Sequence, residues 1–439
     1  MTEAQKHIPL SSLMRYGFIA LPVAFAGLPI YLIAPDYYAS QFGLSLTSLG
    51  AVLLFLRFVD GVQDPFIGAF SDRFHHKRPL IILSAALVLV SGFWCLFQPP
   101  AAVAYLAWFA ISVFVITTAY SVLVINITAL GGIWARDPHE RTRIAMVREV
   151  HGLIGLLLVI VLASSLTNHF PVSHVYAVIA ILLFVLLSIG VALFLNWYAW
   201  HSDEIEPQSL LDPKAAPKGE RSFFHLWASM TGETKSFFLI YGLSMLASSI
   251  PAVLVIFYVR DFLQAPLYLG LFLSLYFLSG AVGMLLWSKL SRQLDNKLLC
   301  WQLGMAVATL SFIWVMFLEP GDVFAYGVIC VLSGLGFGAD LSLPPSLLAD
   351  QISAQKREPD SGFYHAQLTL LTKLSLALST ALIFPLLETA GYRPAQATNK
   401  DGLFMLVVCY AAIPSLIKAL SLTLIFRHSD FYLHSKTEA

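Results

Sequence analysis

A chain of 439 residues that is 58% hydrophobic and only 12% charged belongs in lipid, since soluble domains carry about 25% charged residues. Its 26 basic and 26 acidic residues cancel, which argues against a nucleic-acid partner. The four cysteines (Cys95, Cys300, Cys330, Cys409) lie far apart in apolar runs, with neither disulfide nor zinc spacing.

The chain opens on the polar MTEAQKHIPLSS and runs straight into an apolar stretch with no small-residue cleavage site, so no cleaved signal peptide is expected. Apolar runs long enough to span a bilayer start near Leu13, Leu46, Pro79, Ala101, Ile144, Val175, Ser236, Pro266, Leu298, Val323, Gly362 and Gly402. They predict an all-α polytopic membrane protein of twelve transmembrane helices in two pseudo-symmetric six-helix bundles. The expected divisions are residues 1–200 for the first bundle, 201–234 for a cytoplasmic linker and 235–439 for the second. The linker holds the hydrophilic break His201 to Ser222 and then FFHLWASM, read as a short interfacial amphipathic helix.

Orientation follows from where Lys and Arg fall. With both termini cytoplasmic, 20 of the 26 lie inside; Arg260, Arg393 and Lys400 lie outside, and Arg57, Lys373 and Lys418 lie within spans. Lys418, near the inner end of the last span, is expected to snorkel to the interface. The halves also repeat weakly: GAFSDRFHHKR after the second span has a counterpart in GMLLWSKLSRQ after the eighth, with Trp287 where the first copy has Asp72. Paired bundles with related loops are the pattern of a transporter whose site lies near midplane.

The most informative stretch is LLFLRFVDGVQDPFIGAFSDRFHHKRP, Leu53 to Pro79. Steps of three and four residues put Arg57, Asp60 and Asp64 on one helical face. A carboxylate at the bilayer centre costs about 2.5–3.5 kcal/mol, so two on one face need a compensating function or partner. One reading is a structural ion pair of Arg57 with Asp60. The other is a cation site, in which Asp60 and Asp64 offer oxygens to Na⁺ or share a proton.

Gly68-x-x-x-Asp72-Arg73-x-x-x-Lys77-Arg78 resembles the loop signature of the major facilitator superfamily. RFVDGVQDPFIG resembles, more narrowly, the second helix of the glycoside–pentoside–hexuronide:cation symporters, the melibiose permease-like family. Arg15-Tyr16-Gly17, the stretch Tyr120 to Glu149 and the Lys373-containing GFYHAQLTLLTKLSLALSTALIFPLLETAGY are similar to family patterns as well. The resemblance implies a cation site of Asp60, Asp64, Gln63 and Ser121, with Lys373 and Arg57 in coupling and no cofactor beyond a coupling ion, Na⁺ or H⁺. Sugar-carrying members place acids where this chain has Ala24 and Val124, so a melibiose-like sugar is not expected as substrate.

Asp340, in GFGADLSLPPSLLAD, reads either as a substrate contact or as a packed neutral acid; Pro344-Pro345 after it is expected to break helical bonding. Asn126, Tyr120, Tyr31 and Tyr364 are further candidates to line the substrate cavity, set against ordinary packing. Asp72, Arg73, Arg78, Arg141 and Asp350 are expected at a cytoplasmic gate, with Asp350 beside Lys356 and Arg357. The expected protein is a cation-coupled secondary transporter of a small organic solute, working as a monomer in the bilayer of a bacterial inner membrane. A lysolipid or amphiphile carrier and a non-transporting membrane sensor are the alternatives. No cluster of His, Asp or Glu with catalytic spacing stands at either membrane face, so no enzyme is expected.

Overall fold

The computed structural model describes residues 8–101, 103–134, 138–167, 170–210, 230–355, 357, 361–395 and 400–427. Among them, twelve helices are long and apolar enough to cross a membrane. In chain order these are α1 (Leu10–Phe42), α2 (Leu46–Ser71), α3 (Arg78–Phe97), α4 (Tyr105–Trp134), α5 (Arg143–Thr167) and α6 (His174–His201), followed by α7 (Gly232–Phe262), α8 (Pro266–Gln293), α9 (Lys297–Phe317), α10 (Val323–Ala354), α11 (Phe363–Thr389) and α12 (Lys400–Arg427). Each begins within about one turn of its expected start. The fourth begins late, at Tyr105, because Pro99-Pro100 hold the chain extended.

The sixth helix runs past His201 into the polar segment, as Val172–Leu210; Glu and Gln suit a helix once it has left the apolar run. α10 runs over Val323–Ala354 with Pro344 and Pro345 inside it, two residues that contribute no N–H to its ladder. Phe223 to Ser229, the greater part of the expected interfacial helix, lies outside the described residues.

The described residues fall into two compact units, one drawn from Met1–Tyr38 and Phe58–Lys218, the other from Ala39–Arg57 and Gly219–Ala439. In the first unit, α1 packs on α5 and α3 on α4. The opening Arg15-Tyr16-Gly17 explains the close approach of α1. Tyr16 donates to the Ile127 carbonyl at 2.7 Å, and Gly131 leaves room for that ring, since a Cβ there would lie 2.1 Å from the hydroxyl. Tyr16 then packs among Trp134, Phe194 and Trp197.

In the second unit, α8 packs on α10 through small residues. A Cβ on Gly334 would fall 2.4 Å from the Tyr276 carbonyl, and one on Gly283 2.5 Å from the Leu335 carbonyl. Such stripes let backbones meet in lipid, where apolar burial drives little association. Trp287, the counterpart of Asp72 in the weak repeat, is buried here and donates to the Leu335 carbonyl at 2.8 Å.

The start of α2 belongs to this unit. After a turn through Gly43 (φ 66°), Glu388 of α11 accepts from Ser45 Oγ at 2.8 Å and from the Thr47 amide at 2.9 Å. A carboxylate here satisfies an orphan N–H and meets the positive end of the helix. Glu388→Ala is expected to lower stability by about 1 kcal/mol, read as a small fall in Tm of the purified protein; an unchanged Tm would show that water caps the helix equally well.

Among the described residues, three π-helical turns interrupt the spans, at Pro29–Ile33, Tyr258–Phe262 and Val408–Ala412. The first lies in α1 and the second in α7, the opening spans of the two halves. Tyr258 stacks on Tyr410 with ring centroids 4.2 Å apart, so the two turns of the second unit meet ring to ring.

Candidate functional site

Helix α2 has two contrasting faces. Phe55, Phe58, Val62, Phe66 and Phe70 are exposed along one side. Asp60 is turned inward and only 3% exposed. In the first unit its Oδ1 accepts from Ser121 Oγ at 2.9 Å and from Gln63 Nε2 at 3.3 Å. Thr118, one turn before Ser121 on α4, stands 3.2 Å from Gln63 Oε1. The fold therefore assembles Asp60, Gln63 and Ser121, and adds Thr118, which sequence reasoning missed. Asp64 follows Asp60 by one turn and is half-buried; Arg57 precedes it by one turn and is buried.

A carboxylate, a hydroxyl and an amide with little exposure form a hard oxygen donor set, able to take Na⁺ or to hold a proton on the acid. A second feature of the same unit is a cavity of about 170 Å³ lined by Ala20, Val23, Ala24, Tyr120, Val124 and Ile127 on its apolar side. Arg148 and Glu149 of α5 line it too and are paired at 2.9 Å; Arg148 also donates to Thr128 Oγ1 at 2.8 Å. Ala24 and Val124 thus share one cavity, and that cavity holds a carboxylate supplied by another helix.

A family model described as MFS/sugar transport protein matches residues 15–429. The chain belongs to that family. It is 22% identical over 440 residues to the inner membrane symporter YicJ of Escherichia coli, covering 95% of this chain and 91% of that one. It is 25% identical to the isoprimeverose transporter of Lactiplantibacillus pentosus, over 40% of each chain. Among solved structures it resembles the nucleoside transporter NupG, with a TM-score of 0.67, 13% identity and 95% and 99% of the two chains covered. It also resembles a bacterial homologue of the human lysosomal transporter Spinster, with a TM-score of 0.65, 12% identity and 98% of each chain covered. These structural likenesses carry the fold. The protein is a membrane transporter of the major facilitator type, not an enzyme, as the symporter-like second helix implies.

Other candidates of the transporter sort as follows. Tyr120 lines the cavity. Asn126 is fully buried and ties α4 to α2, donating to Ser71 Oγ at 2.9 Å. Tyr364 is likewise core, 2% exposed against Phe238 and Phe363, with its hydroxyl accepting from Arg357 at 3.1 Å. Tyr31 sits in the first π turn. Lys373 lies on α11 of the second unit, half-buried.

Of the gate residues, Arg73 is exposed and its guanidinium stands 6.0 Å from the Phe74 ring, whereas Arg78 is buried at the start of α3. Asp350 pairs with Lys297 at 2.6 Å across the ends of α10 and α9. The side chains of Asp72 and Arg141, and all of Lys356, lie outside the described residues.

Lys418 departs furthest from expectation. It does not snorkel; it is buried in the second unit and ion-paired with Asp340. Asp340 is packed against partners on three helices, Lys418, Ser244 and Trp301, and it also lines a cavity. The signal was available, for a lone lysine in an apolar span needs an acid wherever the span ends.

Proposed function

We propose that this transporter is a symporter that couples a cation, Na⁺ or H⁺, to a small organic solute by alternating access, with the cation held at Asp60 and Asp64. The observation that carries the reading is the buried Asp60 carboxylate gathered with Ser121 and Gln63 from two helices. Such an acid is costly in lipid and is retained for a partner. Lys373 and Arg57 are assigned to coupling by family resemblance, and Asp72, Arg73, Arg78, Arg141 and Asp350 to the gate, with both termini in the cytoplasm of a bacterial cell.

The substrate is assigned to the cavity of the first unit. One side is apolar through Ala24, Val124 and their neighbours; the other offers Arg148, Glu149 and Tyr120. A solute with an apolar body and a polar edge fits both sides, which also favours a second reading, an amphiphile carrier. A melibiose-like sugar is left out, because Ala24 and Val124 stand where sugar-carrying relatives place acids, and the carboxylate that does line the cavity, Glu149, is already paired with Arg148.

A thermal-shift screen of the purified protein against melibiose, isoprimeverose, nucleosides, peptides and lysolipids, with and without Na⁺, tests the assignment. The expected result is cation-dependent stabilisation by one non-melibiose class, lost in Arg148→Ala. Saturable, cation-driven melibiose uptake would overturn the substrate reading and leave the cation site standing.

A further inference from the structure

Asp340 of α10 is fully buried, and every oxygen it carries is engaged. Its Oδ1 accepts from Ser244 Oγ at 2.9 Å and from Trp301 Nε1 at 2.8 Å, and its Oδ2 accepts from Lys418. Seen from the other side, the Lys418 ammonium sits in a cage of oxygens. Besides the carboxylate it donates to Ser244 Oγ at 2.8 Å, Ser248 Oγ at 3.0 Å and the Ser244 carbonyl at 3.3 Å. One carboxylate, two hydroxyls and a backbone carbonyl are what a hard monovalent cation uses.

The cage opens onto a cavity of about 50 Å³ that both Asp340 and Lys418 line, with walls that include Tyr276, Phe312 and Phe337. Ser415, one turn before Lys418 on α12, lines the same cavity; it is 5% exposed and its Oγ has no hydrogen-bond partner. At about 10–15 Å³ per water, such a space holds a few waters. An orphan buried hydroxyl costs stability unless something in that space bonds to it.

We infer that Asp340, Ser244, Ser248 and Ser415 form a second monovalent-cation site, kept occupied by the ammonium that Lys418 tethers in it. A buried ion pair is stable only where further hydrogen bonds satisfy the ammonium's other protons, as Ser244 and Ser248 do here. Such a pair does not call for an additional unbonded hydroxyl beside it in a cavity, and Ser415 supplies one. The functional consequence is that Asp340 draws no cation from solution while Lys418 is in place, so this acid adds nothing to the coupling stoichiometry.

The test removes the tether. Lys418→Ala is made in a chain that also carries Asp60→Asn, so that no arm depends on the site in the first unit. Melting is followed in NaCl against choline chloride of equal ionic strength. The expected result is a Tm several degrees higher in Na⁺ than in choline for Lys418→Ala, because bound ligand stabilises the folded state. The Asp60→Asn parent, which keeps Lys418, and the Asp340→Asn/Lys418→Ala variant should show no such difference. A Lys418→Ala protein that responds to Na⁺ no more than its parent overturns the inference. So does one that cannot be recovered folded even from Na⁺-containing membranes, since a filled cage should fold.

Discussion

Asp60→Asn is expected to abolish cation-driven accumulation of substrate while leaving a folded protein in the membrane. Asparagine keeps the shape and still accepts from Ser121 through its carbonyl oxygen, so the link from α2 to α4 survives. What is lost is the negative charge, and with it the reason for a cation to enter. Apparent cation affinity should fall by at least ~10-fold, or ~1.4 kcal/mol, in a proteoliposome assay driven by an imposed Na⁺ or H⁺ gradient. Coupling is reciprocal for equilibrium binding, so the substrate should lose its dependence on cation by the same factor. Ser121→Ala removes one hydrogen bond and should cost less, about 1 kcal/mol. Lys373→Ala, tested beside them, should weaken coupling more than binding. Wild-type accumulation in both Asp60→Asn and Asp64→Asn would make the acids structural and end the symporter reading.

Asp340→Leu is expected to be the most destabilising single change in the second unit. It strands the buried Lys418 ammonium with only Ser244 and Ser248 as partners, and breaking one side of a buried pair costs about 3–5 kcal/mol. The double variant Asp340→Leu/Lys418→Leu should recover most of that loss, because an apolar replacement of both partners is often neutral or stabilising. Tm values of the wild type and both variants, read in one detergent, provide the comparison. An Asp340→Leu protein as stable as wild type would mean that the ammonium finds water instead of a cage.

The contrast between the two acids explains what was legible in the sequence. The twelve spans were readable because a bilayer demands about twenty apolar residues in a row, and no tertiary context changes that demand. Asp60 stood out because Arg57, Asp60 and Asp64 share one short helical stretch, and family resemblance supplied Ser121, 61 residues away. Lys418 and Asp340 lie 78 residues apart on different helices, so the lone lysine called for an acid but nothing local said which one. Glu149 offers no local signal of its place either. That it lines the cavity with Ala24 and Val124 depends on how α5 packs against α1 and α4. Continuity through Pro344-Pro345 also ran against local propensity, which tertiary packing routinely overrides.

The π turn at Pro29–Ile33 sets which way the rest of α1 faces. Its wider ring takes up one more residue than an α-helical turn, so the side chains after it are turned by about 100° from where uninterrupted winding would put them. Tyr37 and Tyr38, which donate to the Phe97 and Leu96 carbonyls, lie beyond that turn. Excising Tyr31 would restore the ordinary winding and swing both hydroxyls off α3, so the seam between α1 and α3 is keyed to one residue of chain length.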